Sequence, residues 1–347
     1  MPNLSQNEVI GLTIIVTSLV IAIILFIIFK LFIKDVGKLF VNALTSPKLE
    51  CNKHIDMIYR NVKIPNQINL YNNNFDMNLA KFLIKLNILS YGITCGFNNP
   101  NNLISGAIDS TNSNQNIPVQ YVTTLSGKNP DVNLDSYEPY IYIWKYGKVL
   151  LIAIRGTLSN EGWMSDIMFQ QKPSKVFNNN KDILVHRGFN DLYSSMRQQL
   201  IKIVYSLYNS GEINRVVMTG HSLGASMALL AAYDISKIVG RNNIVLYTIG
   251  CPRTGNVNFA KELQKKYTHY RIQNMADIIP LVPPPYVYGN EFSHTFPVYQ
   301  IRNTKTSIAH NHTPYTYLQA LNEIQNRPSI INNKTTRFIS HYNELDS

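Results

Sequence analysis

The feature that most constrains the fold of this chain is an apolar run that ends in two glycines around a serine. Residues 216–219 are Val-Val-Met-Thr, residues 220–224 read Gly-His-Ser-Leu-Gly, and an Ala- and Leu-rich stretch continues to about Ile235. The apolar run predicts a buried strand, and the stretch after it predicts a helix. A strand that turns into a helix so abruptly needs glycines where neighbouring backbone comes close. The sequence therefore predicts a strand–turn–helix unit with Ser222 at the tip of the turn.

A serine at such a tip has two interpretations. In the first, the G-x-S-x-G turn is a nucleophile elbow, which projects the hydroxyl from the sheet edge toward a substrate. The N-terminus of the following helix then directs backbone N–H groups at developing negative charge. In the second, Ser222 is an ordinary N-cap of that helix. The strand and helix signals on both sides of the pentapeptide favour the elbow.

Four further blocks of sequence accompany the elbow in a fixed order. They read Arg-Gly-Thr-Leu-Ser from residue 155, Val-His-Arg-Gly-Phe from residue 185, Gly-Cys-Pro-Arg-Thr-Gly-Asn from residue 250, and Asn-Met-Ala-Asp-Ile-Ile-Pro-Leu-Val-Pro-Pro from residue 274. Together with the elbow, these blocks resemble those of the class 3 lipases, and the resemblance covers roughly residues 78–317. Its departures are small, because Ala225 replaces a glycine and Ile279 and Val282 are conservative exchanges.

The resemblance implies an α/β-hydrolase fold, and the hydrophobic pattern agrees with it. Strands are predicted at residues 140–144, 149–154, 215–219, 244–249 and 269–272, and helices at residues 78–96, 191–209 and 223–235. Strands that alternate with helices predict a mostly parallel, doubly wound sheet.

The resemblance also assigns the reacting groups. In this fold the nucleophile is followed by an acid and then by a histidine. Ser222 is the nucleophile, and Asp277 occupies the acid position of the last block, just after a predicted strand. His312 matches the family's H-x-x-Y near the C-terminus and is the expected base. His310, two residues earlier, is the alternative base.

Acyl transfer also needs two N–H donors for the tetrahedral oxyanion. The expected donors are the backbone N–H groups of Leu223 and Thr157, with the Thr157 hydroxyl as an additional candidate. In similar lipases the next segment is a lid, and here Trp163 lies among apolar residues at helical spacing within residues 160–169. The alternative is a surface helix whose apolar side belongs to the core. No cofactor is implied, and the pair of late histidines lacks a third metal ligand at a suitable spacing.

The N-terminal region carries an apolar run of the length that spans a bilayer. Residues 10–29 contain no charge, and neither a cationic start nor a small-residue cleavage site marks a signal peptide. Lys30, Lys34 and Lys38 follow the run, so the positive-inside rule predicts a cytoplasmic C-terminal side. We therefore expect a polar tail at 1–9, a transmembrane anchor at 10–33, a juxtamembrane connector at 34–75, the hydrolase domain at 76–325 and a polar tail at 326–347.

Charge and cysteine content restrict the partners. The net charge of +11 suits anionic lipid headgroups, although a solvated basic surface explains it equally, and no nucleic-acid motif is present. Three scattered cysteines predict no disulfide framework and suit a reducing compartment. We expect a membrane-anchored serine esterase that cleaves acylglycerol esters through an acyl-serine intermediate. The alternatives are a phospholipase or acyltransferase with the same triad, and a catalytically silent membrane protein that retains the fold.

Overall fold

The computed structural model of the protein describes residues 62–66, 68–105, 117–128, 137–157, 169–295, 298–303, 308–326 and 337–339. The predicted anchor at residues 10–33 and Trp163 of the predicted lid lie outside these ranges. Among the described helices, none combines the length and the apolar character needed to cross a bilayer.

The described part of the chain alternates strands and helices. In chain order the strands are β1 (Val62–Lys63), β2 (Leu103–Ile104), β3 (Val119–Lys128), β4 (Tyr137–Tyr146), β5 (Val149–Ile154), β6 (Gln171–Pro173), β7 (Leu184–His186), β8 (Arg215–His221), β9 (Ile244–Ile249), β10 (Thr268–Asn274), β11 (Tyr286–Val287), β12 (Asn290–Glu291), β13 (Val298–Ile301) and β14 (Arg337–Ile339). The helices are α1 (Met77–Thr94), α2 (Arg187–Asn209), α3 (Leu223–Val239), α4 (Val257–Gln264), α5 (Ile308–His312) and α6 (Pro314–Asn326).

The main sheet has eight strands in the order β14-β13-β10-β9-β8-β5-β4-β3. The five strands from β13 to β5 run parallel, whereas β4, β3 and β14 pair antiparallel at the two edges. The sheet is therefore mixed, with the predicted parallel arrangement confined to its centre. The structure reproduces the predicted bounds of β5 and β9 because both strands are buried along their whole length and read as continuous apolar runs.

Helices cover both faces of the sheet, as a doubly wound arrangement requires. Helices α2 and α3 pack on one face, where Phe189, Leu200 and Ala228 belong to one buried apolar cluster. Helices α1 and α6 pack on the other face, where Leu83 and Leu321 belong to a second cluster. The strands between the two clusters are shielded from water on both faces. A binding or catalytic site is therefore expected at the edge of the sheet where the parallel strands have their C-terminal ends.

Two segments differ from their predicted boundaries. Val62, Ile64 and Leu70, in the predicted connector, are buried against the second apolar cluster. Arg215 at the start of β8 fastens this segment to the sheet, because its guanidinium donates hydrogen bonds to the carbonyl oxygens of Leu70 and Asn72. At the other end of the chain, β14 lies in the predicted polar tail and pairs with β13. Such short strands carry too little periodicity to be recognised in the sequence.

The cysteines also differ from the expectation. Cys95, at the C-terminal end of α1, is disulfide-bonded. Cys251 is free and fully buried, and burial raises the pKa of its thiol to about 11. The scattered spacing of the cysteines gave no sign of this disulfide, which does not suit the reducing compartment expected from the sequence. Spacing alone could not reveal this disulfide, because cysteines that are far apart in sequence are brought together only by the fold.

Candidate active site

Ser222 lies between β8 and α3 in a backbone conformation that side-chain-bearing residues rarely adopt. Its φ and ψ are 57° and −128°, and its side chain makes no capping hydrogen bond to α3. The N-cap interpretation is therefore excluded. A Cβ on Gly220 would lie 2.5 Å from the carbonyl oxygen of Gly224, and one on Gly224 would lie 2.2 Å from that of Ile154. Both glycines are required by the packing of the turn, as the sequence predicted.

The structure brings Asp277 and His312 together at the same edge of the sheet. Asp277 follows β10, and its Oδ2 accepts hydrogen bonds from His312 Nδ1 at 2.7 Å and from the Tyr317 hydroxyl at 2.6 Å. Its Oδ1 accepts a bond from the backbone N–H of Ile279 at 2.9 Å. Three donors therefore hold the buried carboxylate of Asp277 in a fixed orientation. Asp277 bonds to His312 and not to His310.

The protonation pattern of His312 follows from these contacts. Since Nδ1 faces a carboxylate that can only accept, Nδ1 donates this hydrogen bond, and in the neutral imidazole Nε2 is then the nitrogen with the lone pair. Nε2 is buried and has no hydrogen-bond partner. The expected hydrogen bond between Nε2 and the Ser222 hydroxyl is therefore not formed in this structure. Such bonds are often long without a substrate and tighten only in the complex.

Two residues that hold this pair were not identified from the sequence. Tyr317, rather than the Tyr315 of the H-x-x-Y match, reaches Asp277. Gly250 follows β9 with φ 57°, and a Cβ there would lie 2.9 Å from His312 Cε1 and 3.1 Å from Asp277 Oδ2. The Gly-Cys-Pro-Arg block of the sequence contained the signal for Gly250, which lets the base approach the sheet edge.

A hydrogen-bonded chain connects the base to the end of β5. His221 Nε2 lies 2.7 Å from the carbonyl oxygen of His312, so Nε2 donates its proton there. The other nitrogen, Nδ1, then accepts from the Tyr91 hydroxyl at 2.9 Å, and this hydroxyl oxygen accepts from the backbone N–H of Gly156 at 2.8 Å. The Tyr91 hydroxyl therefore accepts one hydrogen bond and donates another, and each ring nitrogen of His221 has a single partner.

Thr157 and Leu223, the predicted oxyanion donors, follow the neighbouring strands β5 and β8. Ile154 and Gly220 are neighbours in the β5–β8 register, so the residues after both strands meet at one edge. The Thr157 hydroxyl oxygen is buried without a partner. Within the described part of the chain, the backbone N–H groups of Thr157 and Leu223 donate to no acceptor. The roles of Thr157, Leu223 and Trp163 in chemistry stay predictions.

Outside the Asp277–His312 pair, His186, His221 and His269 are buried and His294 is half-buried. Burial lowers the pKa of His186 to about 4 and that of His269 to about 3. Burial also lowers the pKa of His221 and of His294 well below the usual value, and the neighbouring His312 and Arg271 respectively act in the same direction. In the unfolded chain these imidazoles take up protons near pH 6.5. The stabilisation from keeping them neutral is thus present above pH 6.5 and is lost as pH falls toward the folded-state pKa values.

We therefore expect the free energy of unfolding to fall steeply below pH 6.5. Each buried neutral histidine contributes about 1.4 kcal/mol of loss per pH unit well below its unfolded pKa. Urea denaturation at pH 7.5 and pH 5.5 measures the change. His186→Phe should make the pH dependence shallower, whereas His310→Ala, at an exposed position, should leave it unchanged. Equal stability at the two pH values would contradict the assignment.

Comparison with known proteins shows that the segment around the elbow is similar to a known family. Residues 151–287 match the family model described as lipase (class 3). A lipase of Rhizomucor miehei is 33% identical over 141 residues, which cover 40% of this chain and 38% of that protein. A chloroplastic phospholipase A1-Ialpha2 of Arabidopsis thaliana is 31% identical over 165 residues, which cover 41% of this chain and 34% of that protein.

The similarity extends to a solved structure. A fungal lipase in complex with an inhibitor is 27% identical, with a TM-score of 0.50, and the match covers 65% of this chain and 80% of that chain. The chain spans less than half of the length of either curated relative. The sequence match over residues 151–287 and the shared fold show that this part of the chain is similar to the class 3 lipases of the α/β-hydrolase superfamily.

Proposed function

We propose that the protein hydrolyses carboxylic ester bonds of acylglycerols through an acyl-serine intermediate. The observation that carries this proposal is the Asp277–His312 pair, which leaves His312 Nε2 buried without a partner at the edge of the sheet where Ser222 is held in an elbow. A neutral imidazole with one nitrogen fixed on a buried carboxylate is the base that a serine nucleophile needs.

The proposed reaction has two steps, acylation and deacylation of Ser222, and His312 takes up and returns one proton in each. The Ser222 Oγ attacks the ester carbonyl carbon and passes its proton to His312 Nε2, while Thr157 and Leu223 N–H groups donate to the oxyanion. The tetrahedral intermediate collapses, and the leaving alcohol takes the proton from His312. Water then repeats the sequence on the acyl-serine and releases the fatty acid. Asp277 holds the Nδ1–H and stabilises the imidazolium in both steps.

The substrate class is tested by product analysis. Purified protein is incubated with tri-, di- and monoacylglycerols and with phosphatidylcholine, all with the same acyl chain, in the same detergent. We expect free fatty acid and the next lower glyceride from the acylglycerols. Faster release from phosphatidylcholine would favour the phospholipase alternative, and acyl esters of an added alcohol would favour an acyltransferase. No turnover of any ester would favour the catalytically silent alternative.

We further propose that residues 10–33 anchor the protein in a membrane, with the hydrolase domain on the cytoplasmic side. Support for the anchor is the uncharged apolar run, and support for the orientation is the group Lys30, Lys34 and Lys38. The disulfide at Cys95 favours the opposite orientation, since disulfides persist mainly in oxidising compartments.

Protease protection separates the two orientations. In sealed vesicles with the cytoplasmic face outward, added protease should digest the domain after residue 38 without detergent. A domain that resists protease until detergent is added would face the lumen, and the orientation taken from the lysines would then be wrong. Carbonate extraction of the same vesicles tests the anchor itself, because an anchored protein stays in the membrane pellet.

A further inference from the structure

Gly156, which directly precedes the proposed oxyanion donor Thr157, has to be a glycine. A Cβ at this position would lie 2.5 Å from the Tyr91 hydroxyl oxygen and 2.9 Å from Ser222 Cβ. A glycine has the widest choice of φ and ψ, so it does not by itself fix the direction of the next N–H group. An oxyanion donor is effective only when it is oriented before the charge develops. Other residues must therefore restrict Gly156.

Two side chains hold the peptide groups on either side of Gly156. Its N–H, part of the preceding peptide group, donates to the Tyr91 hydroxyl at 2.8 Å. Its carbonyl oxygen, part of the following peptide group, accepts from Arg155 Nη1 at 2.6 Å. Because a peptide group is planar, fixing both groups fixes φ and ψ of Gly156. The second plane also contains the Thr157 N–H, which points away from the carbonyl oxygen held by Arg155.

The Arg155 side chain is itself immobilised. It is fully buried, and its Nε donates to the carbonyl oxygen of Pro139 at 2.6 Å. Its Nη2 forms an ion pair with Glu138 at 2.9 Å, and the guanidinium lies 4.3 Å from the centre of the Tyr140 ring. A cationic donor also polarises the amide that it contacts, so the N–H on the far side of that amide becomes a stronger donor.

We propose that Arg155, assisted by Tyr91, is a positioning residue that orients and polarises the Gly156–Thr157 peptide group as an oxyanion donor. The inference rests on the proposed ester hydrolysis. Neither residue touches the substrate, and both act through the Thr157 N–H. Their contribution therefore belongs to the transition state, where the oxyanion exists, and not to the binding of the uncharged ester.

The chain offers a matched control in Arg215. This arginine is also buried, and it also donates three hydrogen bonds, to the carbonyl oxygens of Leu70, Asn72 and Asn242. It lies at the opposite end of the neighbouring strand, where it pairs in register with Val149. Its loss should lower stability in a similar way without changing the site. A purely structural role of Arg155 would make the two arginines equivalent.

The test compares Arg155→Met and Arg215→Met with the wild type, well below the melting temperature of each protein. With a soluble short-chain ester, we expect Arg155→Met to lower kcat about 10- to 100-fold with KM nearly unchanged, since loss of a whole oxyanion donor costs about 10²–10³ in kcat. Arg215→Met should keep kcat within about threefold. An alkylboronic acid, which forms a tetrahedral adduct on the serine, should bind Arg155→Met correspondingly more weakly and Arg215→Met normally.

The outcomes separate the inference from the function on which it rests. Equal kcat values for the two methionine variants, with wild-type turnover intact, would overturn the role of Arg155 alone. Absence of wild-type turnover would overturn the proposed function and this inference together. Should Arg155→Met not fold, Tyr91→Phe removes only the hydroxyl that holds Gly156. That variant should lower kcat without raising KM, and a wild-type kcat there would overturn the inference.

Discussion

Replacement of Ser222 by alanine is expected to lower ester hydrolysis by about 10³-fold or more while the protein stays folded. The large effect follows because Ser222 is the proposed nucleophile and is held in the elbow conformation next to His221, whose Nε2 lies 2.7 Å from the carbonyl oxygen of His312. The small effect on stability follows because the Ser222 side chain makes no capping hydrogen bond. Turnover of a soluble ester and circular dichroism measure the two quantities on the same preparation.

Ser226 provides the control for this experiment. It is buried one turn further along α3, and its hydroxyl accepts a hydrogen bond from Thr254 at 2.9 Å. Ser226→Ala should therefore reduce the melting temperature and keep kcat close to the wild-type value. Labelling with a fluorophosphonate should be lost in Ser222→Ala and kept in Ser226→Ala. Near-wild-type turnover by a clean preparation of Ser222→Ala would end the proposal of a serine hydrolase.

The second large effect is expected at His312. His312→Ala removes the imidazole that Asp277 orients, so kcat should fall by about 10³-fold or more. The hydrogen bond from His221 to residue 312 is expected to remain, because it uses the backbone carbonyl oxygen. Turnover of a soluble ester and circular dichroism, measured on the same preparations of wild type and variant, test this expectation.

His310→Ala is the matched control, since it removes an imidazole two residues away on the same helix α5. It should retain kcat within about threefold, as expected for a surface substitution outside the site. If instead His310→Ala were inactive and His312→Ala active, the base would be the alternative residue, and the contact between His312 and Asp277 would be structural.

The parts of the fold that the sequence predicted well are those that are buried from two sides. Strands β5 and β9 were predicted with their observed bounds because every residue in them faces the core. The edge strands were missed or shortened for the opposite reason. Strand β3 is half-exposed along most of its length, so its residues show no continuous apolar run. Helix α2 was predicted to begin at residue 191 and begins at Arg187, since helix ends carry weaker signals than helix interiors.

The residues of the candidate site also differ in how well the sequence could predict them. Ser222 and Asp277 lie in compact sequence blocks, so their positions could be read locally. The choice between His310 and His312 needed the contact with Asp277 that the structure shows, because two residues on one short helix have the same local pattern. Tyr91 and His221 are 130 residues apart in the chain and meet only through the packing of α1 against the sheet. No local sequence pattern could have predicted the contact between Tyr91 and His221.

The hydrogen-bonded chain through Tyr91 and His221 has a consequence for how this protein can be divided. The stretch matched by the family model, residues 151–287, contains neither Tyr91 nor His312. Yet Tyr91 holds Gly156, and His221 joins Tyr91 to the backbone of His312. A fragment able to carry out the proposed hydrolysis must therefore extend beyond the recognisable family signature on both sides, to Tyr91 and to His312.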